Sequence, residues 1–112
     1  MLCTNEFVDR YNSGDYKNAC DFYADEVLYY DGISTAKKSR QAVLSDIRKA
    51  AEELVGKKPI VVTHRDIDVS IDSKSALVLM RFAIGKNKFA VQMTVEWIVD
   101  RPQVTYDRTI AI

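Results

Sequence analysis

Apolar and polar positions along this chain follow two periods, a helical one up to Gly56 and a two-residue one from Pro59 onward. Phe7 and Tyr11 stand at i and i+4, behind Thr4 or Asn5, either of which can cap a short first helix. Asn12-Ser13-Gly14 is a stop signal, and Asp15 can cap a second helix. In it Tyr16, Ala19, Cys20, Tyr23 and Val27 recur at helical spacing as an inward stripe, and residues 27–31 then read as a short strand ended by Asp31-Gly32. Ser39 opens the longest helix, with Val43, Ile47, Ala50, Ala51 and Leu54 as its buried stripe and Gly56 as its end. The opposite face (Asp46, Arg48, Lys49, Glu52, Glu53) reads as a solvated surface.

Four strands are predicted in the second half, at 59–72, 75–84, 89–99 and 104–112, with separators short enough for hairpins. Helices first and a meander afterwards predict an α+β domain spanning 1–112. Three N-terminal helices pack on a curved antiparallel sheet of four long strands plus one short strand, a cone around one internal cavity.

Strand alternation selects what reaches that cavity. Phe89, Val91, Met93, Val95, Trp97 and Val99 share the core face of the third long strand. Symmetric hairpin closure sets Trp97 opposite Tyr106, Val95 opposite Arg108 and Met93 opposite Ile110. It also points Val78, Met80 and Phe82 inward on the second strand, and Thr63, Arg65, Ile67 and Val69 on the first. Arg65 and Arg108 then lie on an apolar face, where a buried guanidinium needs an anion. Three resolutions stand: an open end or internal carboxylate, an anionic ligand, or a bulge that turns them out. The other face (Leu77, Leu79, Arg81, Gln92, Thr94, Glu96, Ile98, Thr105, Asp107, Thr109) is too apolar for a free surface and too polar for a core, and fits a homodimer interface.

Composition narrows the function classes. The 112 residues are 47% hydrophobic and 29% charged, and sixteen basic side chains balance sixteen acidic ones. No net positive field draws nucleic acid or an anionic membrane. Cys3 and Cys20 form no CxxC, and the one histidine, His64, falls on the outward parity beside Asp66 and Asp68, so neither a metal site nor a cofactor is expected. No basic-then-apolar leader is visible in MLCTNEFVDR and no apolar run approaches a membrane span, so a cytoplasmic protein with reduced thiols is expected.

The element order, with Phe7-Val8-Asp9-Arg10-Tyr11, Asn12-Ser13-Gly14-Asp15, Phe22-Tyr23-Ala24-Asp25-Glu26-Val27, Tyr30-Asp31-Gly32 and Ser39-Arg40-Gln41-Ala42-Val43, resembles the nuclear transport factor 2-like superfamily, also called the cystatin-like cone. The resemblance spans essentially the whole chain, in a superfamily that hosts enzymes, binding modules and association domains alike. Its ketosteroid isomerase and polyketide cyclase-like branch implies that Asp31 stands at the general-base position. The isomerases' oxyanion-donating tyrosine falls at Phe7, and their second donor, a protonated aspartate, at Val95. Neither can donate, and a base without oxyanion donors loses the main catalytic term, so the isomerase reaction itself is not expected.

The inward constellation is then Asp31, with Phe7, Tyr11, Tyr29, Arg65, Phe82, Trp97, Tyr106 and Arg108 around the cavity. Asp31 is a base if buried against aromatics, or a structural ion pair if Arg65 or Arg108 reaches it. The leading reading is a small-molecule-binding domain for a small apolar or acidic ligand. The alternatives are a lyase, isomerase or cyclase with Asp31 as general base, and a dimerising association module.

Overall fold

The computed structural model describes residues 2–30, 32–54 and 58–112. Helix α1 (Leu2–Asn12) is followed by a short α2 (Tyr16–Ala19) and a single 3-10 turn at Cys20–Phe22. Strands β1 (Tyr23–Tyr30) and β2 (Thr35–Ser39) form a hairpin, and α3 (Arg40–Lys49) runs into a π-helical turn at Ala50–Leu54. Strands β3 (Ile60–Val69), β4 (Ser75–Ile84), β5 (Asn87–Ile98) and β6 (Arg101–Ala111) complete one six-stranded sheet, ordered β2-β1-β6-β5-β4-β3.

Caps fix the helix starts. Asp15 accepts from the backbone N–H of Asn18 at 3.5 Å, and Ser39 from that of Ala42 at 3.2 Å. Asn12 fastens the end of α1 to the start of β3: its side chain accepts from the Ile60 N–H at 2.6 Å and donates to the Ile60 carbonyl at 3.0 Å.

Three expectations are corrected. The second helix stops at Ala19, and Tyr23 and Val27 belong to β1. Residues four apart share a face in a strand as well as in a helix, so the stripe was inward but its element was wrong. Thr35–Ser39 is a strand that the two-residue pattern did not announce, because a polar edge strand needs no apolar alternation. The sheet is also not wholly antiparallel, since β1 runs parallel to β6.

The register carries the largest correction. The β5–β6 hairpin closes on Ile98 and Arg101, with Val99 in the turn at φ 61°. Left-handed backbone is costly for a β-branched residue, which is why Val99 reads as strand in the sequence. Val95 accordingly faces Val104, and Trp97 faces Pro102. One extra residue, Thr105, then bulges from β6, so that Met93 faces Asp107 and Val91 faces Thr109. A second bulge, at Thr63, leaves Ile60 and Val62 facing Ile84 and Phe82 while Arg65 and Ile67 face Met80 and Val78.

The core lies between α3, the Cys20–Phe22 turn and the sheet, around Cys20, Tyr23, Val27, Val43, Val78 and Val95, all nearly inaccessible. A second cluster of Tyr11, Ala19, Ala51, Ile60 and Ile84 ties α1 to the far edge. Between the clusters the packing leaves a hollow.

Candidate functional site

The hollow is a cavity of about 180 Å³. Helix α1 turns Phe7, Val8 and Tyr11 toward it, at the i, i+1 and i+4 spacing of one helix face. Ile47, Ala50 and Asp46 come from α3 and the turn after it, and the sheet supplies Ile60, Met80, Phe82, Ile84, Phe89, Val91 and Met93 from β3 to β5. Tyr23 and Tyr29 of β1 and Asp107 and Thr109 of β6 close the far side.

Asp107 is the one buried charged residue among those described, at 2% exposure. Its Oδ2 accepts from the Tyr23 hydroxyl at 2.5 Å, and its Oδ1 accepts from the Thr109 hydroxyl at 2.8 Å. Burial lifts the Asp107 carboxyl above the ordinary carboxylate range, and the two hydroxyl donors pull it back only in part. Burial and the neighbouring Asp107 push the Tyr23 hydroxyl well up, so Tyr23 stays a proton donor throughout the physiological range. Tyr11 is raised by burial and by Tyr16, and contributes a neutral ring. Asp46 lies at the more open side, where Lys38 holds it at 2.8 Å and also sits 5.3 Å from the centre of the Tyr29 ring.

Phe7, Tyr11, Tyr29 and Phe82 line the cavity, while the other expected site residues are elsewhere. Arg65 faces Met80 and donates to Asn5 Oδ1 of α1, and it is not a lining residue. Trp97 continues the inward parity of β5 past the end of the core and is 55% exposed. Tyr106 and Arg108 are carried to the outer face by the Thr105 bulge, where the Arg108 guanidinium stacks 4.9 Å from the centre of the Tyr30 ring. Of the expected resolutions for Arg108, the bulge is the one observed. Asp31 lies outside the described residues. Phe7 offers a ring and no hydrogen-bond donor, and Val95 is buried in the core.

Strand parity in the sequence puts Asp107 and Thr109 on the outer face, and helical spacing puts Tyr23 in a helix stripe. Past the bulge, one parity of β6 carries Tyr106, Arg108 and Ile110 and the other Asp107 and Thr109. Apolar content favours the first set as the inner one, and it faces out. The exchange comes from the extra residue at Thr105, which a two-residue pattern does not announce.

No protein-family model matches the chain, and no curated protein matches it in sequence. Solved structures do match. A Nostoc punctiforme protein of unknown function with a cystatin-like fold superposes with a TM-score of 0.80 at 11% identity, over 100% of this chain and 87% of that one. A nuclear transport factor 2-like protein of unknown function from Shewanella oneidensis gives 0.77 at 16% identity, over 96% and 93%. The yeast UBP3-associated protein BRE5 gives 0.72 at 15% identity, over 97% and 90%. With helices laid across one face of a six-stranded sheet, this chain has the nuclear transport factor 2-like, cystatin-like fold.

Proposed function

We propose that this domain binds a small molecule in the cavity between α1, α3 and the sheet. The carrying observation is Asp107, a buried carboxylate with hydroxyl partners on both oxygens that still lines an open space among aromatic and aliphatic side chains. Natural cores leave few hollows of this size, and a dry engineered cavity of about 150 Å³ in another protein takes up benzene. A ligand of roughly seven to ten non-hydrogen atoms is the matching size. Apolar walls with one oriented polar cluster are the usual composition of a binding pocket. The test is a titration of the folded protein with toluene, followed by the methyl resonances of Met80 and Met93. Saturable shifts that disappear in Ala50→Leu, which fills the space, are expected, and shifts that persist unchanged in that variant would refute the reading.

A second reading concerns the outer sheet face, which fits a second copy of the chain. Leu28, Leu77, Leu79 and Ile110 remain between 37% and 43% exposed there. One cross-strand row reads Asp66, Leu79, Gln92, Arg108, from acid to base across four strands. A two-fold axis along the strands between β4 and β5 brings Asp66 against Arg108 of the partner subunit, and packs the leucines at the centre. Sedimentation equilibrium should give a dimer that Leu79→Glu dissociates, and a monomer at high micromolar concentration would rule the interface out.

A further inference from the structure

We infer that the ligand of this cavity is a small amine, bound as its ammonium ion with the nitrogen against Asp107 and the hydrocarbon part among the aromatic rings. The inference rests on the small-molecule reading above and assigns the chemistry of the ligand.

Charge inside the cavity runs one way. Two carboxylates, Asp107 and Asp46, line it, and no lysine, arginine or histidine does so among the described residues. Lys38 answers Asp46 from outside the cavity at 2.8 Å. Asp107 has no such cation: its partners are the hydroxyls of Tyr23 and Thr109, and no ion pair reaches it among the described residues. Each of its oxygens accepts one hydrogen bond and keeps a second lone pair for another donor.

The walls reinforce this sign. Phe7, Tyr11, Phe82 and Phe89 are among the lining residues, while the Tyr29 ring already has the Lys38 ammonium 5.3 Å from its centre. An aromatic face carries the negative part of the ring quadrupole. A cation over such faces is attracted more strongly once desolvated. An acidic ligand, by contrast, would meet Asp107 as a like charge, with Arg65 and Arg108 not among the lining residues. Burial disfavours the Asp107 carboxylate, and a cation placed against it offsets that cost. The proton is accounted for on either route. An ammonium ion meets the carboxylate with no proton moved, and a neutral amine takes the proton of the carboxyl form; both end as ammonium and carboxylate.

Four ligands of one size separate the possibilities: benzylamine, benzyl alcohol, toluene and benzoate, titrated at neutral pH by calorimetry and by methyl NMR. Benzylamine is expected to bind at least about tenfold more tightly than the other three. In Asp107→Asn that advantage over toluene should vanish. Should that variant not fold, the wild type answers instead: bound benzylamine should show Overhauser contacts from its CH2 group to the Thr109 methyl. Toluene or benzyl alcohol binding as tightly as benzylamine overturns the amine assignment and leaves the binding domain standing. Benzoate binding tightest overturns it in the same way, as does a benzylamine that seats its CH2 group away from Thr109. Failure of all four to bind overturns both.

Discussion

Removing one oxygen atom tests the buried pair directly. Tyr23→Phe keeps the ring, which is 2% exposed and packs edge-on against Phe7 with centroids 6.1 Å apart, and deletes only the hydroxyl that donates to Asp107. The Asp107 Oδ2 is then buried without a donor, while Oδ1 keeps Thr109. A buried hydrogen bond to a charged acceptor is worth about 1.5–3 kcal/mol, and the orphaned oxygen places this one toward the upper end, near 2.5 kcal/mol with Asp107 ionised. At about 2.1 cal/mol/K per residue, the unfolding entropy of a chain this long converts 1 kcal/mol into about 4 °C, so Tm should fall by about 10 °C.

The loss must also depend on pH, and its sign is fixed. Asp107 is raised in the folded protein, so between the unfolded and folded values the native state holds more protons. Its contribution is therefore most favourable in acid and declines as pH rises through that window. The Tyr23 hydrogen bond lowers the Asp107 carboxyl, so deleting it lifts the folded value further and extends the decline. The gap between wild type and variant should be smallest in acid, where Asp107 is neutral in both, and widen toward neutral pH. Urea unfolding followed by far-ultraviolet circular dichroism from pH 4.5 to 8 measures it. A loss below about 0.5 kcal/mol at neutral pH, or a gap that does not widen, would refute a buried donor–carboxylate pair.

Asn12→Ala removes both partners of the Ile60 backbone and should cost about 1–2 kcal/mol in chemical denaturation; a neutral result would mean that water replaces the clamp. Burial pushes the Cys20 thiol up to about 12, so in native protein at pH 8 peptide mapping should find Cys20 unalkylated by iodoacetamide, and labelling at a free-thiol rate would contradict its burial. Deleting Thr105 removes the bulge without changing which β5 residue Asp107 faces, so Asp107 should still titrate as a buried carboxyl by NMR. An Asp107 that titrates as an exposed carboxylate in that deletion would mean that β6 had slipped by one residue.

Much of this architecture was legible because its signals are local. Caps at Asp15 and Ser39, the stripe of α3, and the alternation through β4 and β5 each lie within a dozen residues and agree with one another. The fold resemblance followed from their order. The site was not legible, because it depends on two counts that a repeating pattern does not contain. Strand β6 takes one residue more than its partner at Thr105, and β3 takes one more at Thr63. A single extra residue exchanges the faces of everything beyond it, so an apolar cavity that seemed to hold Arg108 holds Asp107. The exchange reverses the chemistry along with the geometry: with Arg108 inside, the hollow would attract an anion, and with Asp107 inside it attracts a cation. Sequence patterning settles such a strand where one face is plainly greasier. From Tyr106 to Ile110 the greasier face is the outer one. A surface that buries its apolar side chains only against a second molecule looks, to any reading of one chain, like a core. The proposed dimer and the misplaced site are therefore two consequences of the same five residues.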